Sequence, residues 1–184
     1  MIGEAAERPS LPGFGPAGYR LLAASRALAL AGGAVFVALV AMSVVSIVGR
    51  KVASAPIPGD VEILQMSAAF ACASFFAHCH LLGGDLKVDF FTSRLPQAAV
   101  RRLDAVGSFL FAVVAAALAW RALAGALAVR AAQETSVILG WPVWIAYLLM
   151  VPGFVLMALA GWYMLGVHLR LARSPAAGLR ESHE

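Results

Sequence analysis

Charged side chains are scarce in this 184-residue sequence. Asp, Glu, Lys and Arg make up 13% of it, whereas hydrophobic residues make up 61%. Soluble globular proteins carry roughly 25% charged residues, so this chain lacks the polar surface that a water-facing exterior requires. Its net charge of +4 is spread between apolar runs and forms no basic patch, which argues against nucleic-acid binding. The composition therefore indicates an integral membrane protein.

Cysteine is also rare. The two cysteines, Cys72 and Cys79, fall within one apolar run. Seven residues of helix would separate them by about 10 Å, which exceeds the roughly 7 Å between Cα atoms that a disulfide can bridge. The sequence therefore predicts no disulfide.

Long apolar stretches are abundant, and none of them contains Asp or Glu. Four approach the roughly 20 residues that a helix needs to cross a bilayer. They run over residues 27–49, 63–82, 105–129 and 143–167. The sequence predicts an all-α integral membrane protein with four transmembrane helices. It divides into a tail over 1–26, a transmembrane domain over 27–169 and a second tail over 170–184.

The distribution of Lys and Arg predicts the orientation of these helices. The two tails and the connector over 83–104 carry ten of these residues, and the opposite side, including Arg121 and Arg130, carries four. Since basic residues concentrate in cytoplasmic segments, we expect both termini in the cytoplasm. Arg121 lies eight residues from the outer end of the third stretch. Its long side chain can extend toward the interface, or it can pair with Glu134 or Glu62.

The connector between the second and third stretches alternates apolar and charged residues after Gly83-Gly84. This pattern is typical of a segment in the membrane interface, with apolar side chains in lipid and charges in water. Pro96 suits the first turn of a following helix, in which Arg101 and Arg102 would contact anionic headgroups. We therefore predict an amphipathic interfacial segment that binds membrane lipids.

Small residues recur at four-residue spacing, as at Ala69 and Ala73 or at Ala112 and Ala116. In lipid this spacing lets two helices approach closely. It is equally compatible with packing inside the chain and with docking to another membrane subunit, so both interpretations stay open.

Residue patterns for catalysis or metal binding are missing. The sequence has no nucleophile with a base, no glycine-rich phosphate loop and no His/Cys pair at helical ligand spacing, so we predict no enzyme activity, cofactor or metal. Ion-coupled transporters usually carry an ionisable residue inside a span, so the lack of Asp and Glu there argues against a self-contained exporter. One alternative stays open: His80 and His168 fall at a similar predicted depth, where a haem could bind between them.

Three segments carry a family resemblance. The first loop contains Arg50-Lys51-Val52 and then Pro56-Ile57-Pro58-Gly59-Asp60-Val61-Glu62, and the connector runs from Gly83 to Pro96. Together with Trp141-Pro142-Val143-Trp144, this order resembles the small permease subunit (DctQ type) of tripartite ATP-independent periplasmic (TRAP) transporters. The matching positions are Arg50, Pro56, Pro58, Gly59, Glu62, Gly84, Val88, Asp89 and Pro96. The sequence departs at Lys51, where an aromatic residue is frequent, and at Asp85, where histidine is common.

The resemblance implies a non-catalytic scaffold subunit in a bacterial inner membrane. Its partners would be a large permease subunit, which holds the sodium and substrate sites, and a periplasmic solute-binding protein. The solute is commonly a carboxylate-bearing metabolite. A periplasmic loop would contain Arg50, Pro56, Pro58, Gly59 and Glu62, with Arg50 and Glu62 as an ion pair. The cytoplasmic connector would be fixed by Gly84, Lys87, Asp89, Arg94, Pro96, Arg101 and Arg102.

Overall fold

The computed structural model describes residues 15–52, 54, 57–84 and 97–173. Within these ranges the chain forms four helices and no strand. They are α1 (Pro16–Val52), α2 (Asp60–Leu81), α3 (Gln97–Ala131) and α4 (Trp144–Arg173). All four are long and apolar enough to cross a membrane, which confirms the predicted all-α architecture with four spanning helices.

Three of the helices extend well beyond the apolar stretches. α1 begins at Pro16 rather than near Ala27, and α4 continues to Arg173. The flanking segments are rich in Ala, Leu and Arg, which are strong helix formers, so nothing ends these helices at the membrane surface. The 37 residues of α1 extend for about 55 Å, whereas the 22 residues of α2 extend for about 33 Å. Only α2 has a length close to the hydrocarbon thickness.

The helices pack in the spatial order α1, α2, α4, α3. α2 packs against both α1 and α4, α3 packs along α4, and α1 meets α4 at few positions. α1 and α3 therefore lie at opposite ends of the arrangement. Each of these two end helices exposes a broad apolar face.

A glycine meets a small residue at each of the three main interfaces. A Cβ atom added to any of these glycines would lie within 3 Å of its neighbour. The pairs are Gly32 with Ser74 (α1 with α2), Gly153 with Ala73 (α2 with α4) and Gly161 with Ala112 (α3 with α4). At Ala73 and Ala112 the small-residue spacing thus serves packing within the chain, because it lets the backbones touch.

The hydrophobic core lies along α4, which has neighbours on two sides. Phe154, Met157 and Met164 of α4 pack with Leu81 of α2 and with buried alanines of α2 and α3. Pro152 lies within α4, and the helix continues through it. Cys72 and Cys79 form no disulfide, as the sequence predicts, and both are exposed.

Candidate partner-binding surface

Polar contacts join the end of α1 to the start of α2. The Ser46 hydroxyl donates a hydrogen bond to Oδ2 of Asp60, and the Ile57 amide donates to Oγ of Ser46 at 3.3 Å. Nη2 of Arg50 lies 3.6 Å from the same Asp60 oxygen, and the Arg50 side chain is 61% exposed. Such an exposed ion pair contributes little to stability, so Ser46 is the principal anchor of this loop.

Glu62 joins α2 to the segment between α3 and α4. Its Oε1 accepts a hydrogen bond from the Ile138 amide at 2.8 Å, and its Oε2 accepts one from the Leu139 amide at 3.1 Å. The expected ion pair of Arg50 with Glu62 is therefore wrong. Two residues of helix rotate the side-chain direction by about 200°, so when Asp60 faces α1, Glu62 faces the opposite way.

Residues 132–143, here called the α3–α4 loop, fold into a compact turn. The Ser136 amide donates to the Trp141 carbonyl at 2.8 Å, and the Trp141 amide donates to Oγ of Ser136 at 3.2 Å. An isolated β-bridge between Thr135 and Pro142 closes the turn. Val137 at its tip is 96% exposed. The α3–α4 loop therefore holds an apolar tip outward in a fixed position, which suits contact with a partner.

Gly59 allows the α3–α4 loop to pack on the start of α2. Its φ is +75°, a backbone conformation that residues with a Cβ rarely adopt. A Cβ at this position would also lie 2.6 Å from Cγ of Leu139. Gly59 is thus required both for the turn before α2 and for the space that Leu139 occupies, and the Glu62 hydrogen bonds hold Leu139 there.

A Gly59→Ala variant is expected to be less stable by roughly 1–3 kcal/mol, because it adds backbone strain and a clash with Leu139. Gly140→Ala is a matched control, since Gly140 has φ +66° but nothing within 4 Å of its Cβ position. Thermal unfolding in detergent should show a larger decrease in unfolding temperature for Gly59→Ala than for Gly140→Ala. Equal losses would mean that Leu139 does not press on Gly59.

An apolar cavity of about 330 Å³ lies below the α3–α4 loop, between α2 and the start of α4. Ile63 and Met66 line one side, Trp141 and Ile145 line the other, and Ser67 is the one polar side chain in the lining. Such a surface accommodates acyl chains or apolar side chains. It offers no charged group for binding a carboxylate.

The remaining predicted site residues belong to the segments before and after α2 and to the first turns of α3. Before α2, Pro58 is exposed and the adjacent Gly59 is buried. In the first turns of α3, Arg101 is half-buried and Arg102 is exposed. A Cβ on Gly84 would lie 3.1 Å from Sγ of Cys79. Outside the described residues lie Pro56, Lys87, Asp89, Arg94 and Pro96. The amphipathic interfacial segment therefore stays a prediction.

The two histidines of the haem hypothesis do not lie at similar depth. Ala73 faces Gly153, so His80 is level with about residue 160 of α4, roughly 12 Å along the helix from His168. The His80 ring stacks on Phe111, with centroids 4.0 Å apart and the planes at 16°. Both histidines are buried. These observations favour a packing role and give the haem hypothesis no support.

The sequence did not reveal the two strongest contacts of this surface. Ser46 is one small polar residue in an apolar run, and such residues are common in transmembrane helices without marking a contact. The acceptor role of Glu62 depends on backbone amides 76 and 77 residues away. Backbone amides carry no sequence signature, so only the tertiary structure shows this contact.

Comparison with known proteins identifies a family. The family described as "Tripartite ATP-independent periplasmic transporters, DctQ component" matches residues 39–171. This range covers α2, α3, the α3–α4 loop and nearly all of α4. It thus contains every polar contact of the candidate surface described above. No curated protein and no solved structure matches the chain.

Proposed function

Since this chain belongs to the family of DctQ components of TRAP transporters, we propose that it is the non-catalytic scaffold subunit of a sodium-coupled transporter for a carboxylate-bearing solute. Its partners are a large permease subunit and a periplasmic solute-binding protein. The complex lies in a bacterial inner membrane. The large subunit holds the solute and sodium sites, and this chain supports it laterally.

The packing of the helices is the observation that carries this proposal. At all three main interfaces a glycine touches a small residue, so the helices leave no passage for a solute where these pairs meet. The four apolar stretches contain no Asp or Glu that could couple transport to an ion. The cavity below the α3–α4 loop is apolar. These features fit a support for another subunit better than they fit a pathway.

We propose that both termini are cytoplasmic, because Lys and Arg are concentrated on that side. The α3–α4 loop and the Ser46–Asp60 contact then face the periplasm. The apolar tip at Val137, held by Glu62 and Ser136, is available there to the binding protein or to the large subunit. No group in this surface is placed for chemistry, which agrees with a binding role.

Purification of the tagged chain from its native membranes in mild detergent tests this proposal. We expect a many-helix permease subunit to co-purify in near-stoichiometric amount. Proteoliposomes with that subunit and the binding protein should take up a carboxylate solute along a sodium gradient only when the chain is present. Isolation of the chain alone, or undiminished uptake without it, would contradict the scaffold proposal.

An Asp89→Ala variant is expected to reduce the co-purified permease or the uptake by at least half, because Val88-Asp89 is the strongest family match of the connector. Asp85→Ala is the control, since Asp85 departs from the family pattern. Normal uptake together with normal complex yield in Asp89→Ala would remove the predicted role of this residue.

A further inference from the structure

Arg121 is an isolated charge on the exposed face of α3. The next charged residues of that helix are Asp104, 17 residues before it, and Arg130, nine residues after it. These separations correspond to about 25 Å and 13 Å of helix. No ion pair or hydrogen bond of Arg121 occurs within the part of the chain that the structure describes. Arg121 thus brings a charge into an apolar region, and no described residue pairs with it.

The helix register places Arg121 level with the interior of α2 and α4. Ala112 of α3 touches Gly161 of α4, and Gly125 lies beside Tyr147, so Arg121 is level with about Pro152. The neighbouring Gly153 touches Ala73 in the interior of α2. Each end of α2 and of α4 is therefore about 12 Å or more away along the helix axis.

The side-chain direction makes contact with lipid headgroups difficult. Helical side chains lean toward the N-terminus of their helix, and for Arg121 this direction leads along the longer apolar part of α3, toward Asp104. The nearer polar end, at Arg130, lies the opposite way. This direction is unfavourable for the expected extension of Arg121 to the outer interface.

The surroundings of Arg121 suit a second helix. It lies on the face opposite the residues that pack on α4, such as buried Ala115 and Ala122. One and two turns away on its own face, Ala117 and Ala128 are exposed. Small residues beside Arg121 let a neighbouring backbone come close, as in membrane helix pairs. The exposed face of α1, at the other end of the arrangement, carries no charge between residues 27 and 49.

We propose that the α3 face around Arg121 is the docking surface for a helix of the large permease subunit, and that this helix presents a carboxylate at the depth of Arg121. The inference rests on the proposed scaffold function and specifies its interface. A charge in a span almost always pairs with another group, and a carboxylate complements a guanidinium. A second copy of this chain does not fit, because a two-fold axis normal to the membrane would bring two Arg121 side chains to the same depth.

Photo-crosslinking in native membranes, with all subunits expressed, tests this docking surface. A photoreactive amino acid at Ala117 reports on the α3 face, and one at Val37 reports on the exposed face of α1. We expect the large subunit to be captured from Ala117 and not from Val37. Capture from Val37 alone, or capture of only lipid or a second copy of this chain from Ala117, would overturn the docking surface.

Substitutions test the charge itself. Arg121→Leu should reduce the co-purified large subunit by about tenfold, since a membrane contact of this kind corresponds to about one power of ten in affinity, and Arg121→Lys should retain part of it. Arg130→Leu removes the same charge from the end of α3 and should retain normal co-purification. Equal yields for Arg121→Leu and the unmodified chain would overturn the docking surface while leaving the scaffold function intact. Absence of the large subunit even with the unmodified chain would refute the scaffold function.

Discussion

A Gly153→Ala variant is expected to be among the least stable single-methyl variants of this protein. The added Cβ would lie 2.8 Å from the Ala73 carbonyl oxygen and 2.9 Å from the Ala73 carbonyl carbon. These are backbone atoms and cannot rotate away, so α2 and α4 must separate. Overpacking of this kind costs roughly 1–3 kcal/mol. Thermal unfolding in detergent and the yield of monodisperse protein should both fall.

Gly166→Ala provides a matched control in the same helix. Nothing lies within 4 Å of the Cβ position of Gly166, so the added methyl group should only favour the helix, by roughly 0.5–1 kcal/mol. The two variants should therefore shift the unfolding temperature in opposite directions. If both shift it upward, α2 and α4 are not in close contact at Ala73.

Loss of the Glu62 carboxylate should release the α3–α4 loop. In Glu62→Ala the amides of Ile138 and Leu139 lose the acceptors that they have at 2.8 and 3.1 Å. Hydrogen bonds to a charged group are stronger than those between neutral groups. Hydrogen exchange of a peptide over 134–143 should accelerate by at least tenfold, and if this loop contacts a partner, complex yield should fall as well.

Glu134→Ala is the control for this effect. Glu134 is an exposed carboxylate of the same loop, and its backbone carbonyl, which the substitution retains, accepts the hydrogen bond from Val143 at 3.2 Å. Exchange over 134–143 should remain close to that of the unmodified chain. Equal acceleration in both variants would indicate that charge on this surface, rather than the Glu62 contacts, keeps the loop closed.

Much of the architecture was predictable because lipid imposes a simple constraint. Backbone polar groups inside a bilayer must be satisfied within a helix, so four long apolar stretches predict four spanning helices. The helix ends were less predictable, as the early start of α1 at Pro16 shows. Hydropathy is the same for a residue that faces lipid and for one that is buried in protein. It therefore could not distinguish alanines that pack within this chain from alanines that contact another subunit.

The candidate surface was predictable only in part. The family resemblance drew attention to Gly59 and Glu62, and the structure gives both a physical role against Leu139. The sequence analysis also expected Arg50 to pair with Glu62, whereas Arg50 lies beside Asp60. The sequence gives distance along one helix but not the register between helices, so it could not show that Arg121 is level with Pro152 of α4.

The sequence by itself determined that this is a membrane protein with four helices, because charge and hydropathy along the chain decide which segments can leave water. The tertiary structure decided the spatial order α1, α2, α4, α3 and the contact of Glu62 with the α3–α4 loop. It also decided that Arg121 is exposed and level with the interior of α2 and α4. The helix order, the Glu62 contact and the level of Arg121 all depend on which helix surfaces fit together closely. Such contacts join residues far apart in the sequence, so they are decided only when the chain packs.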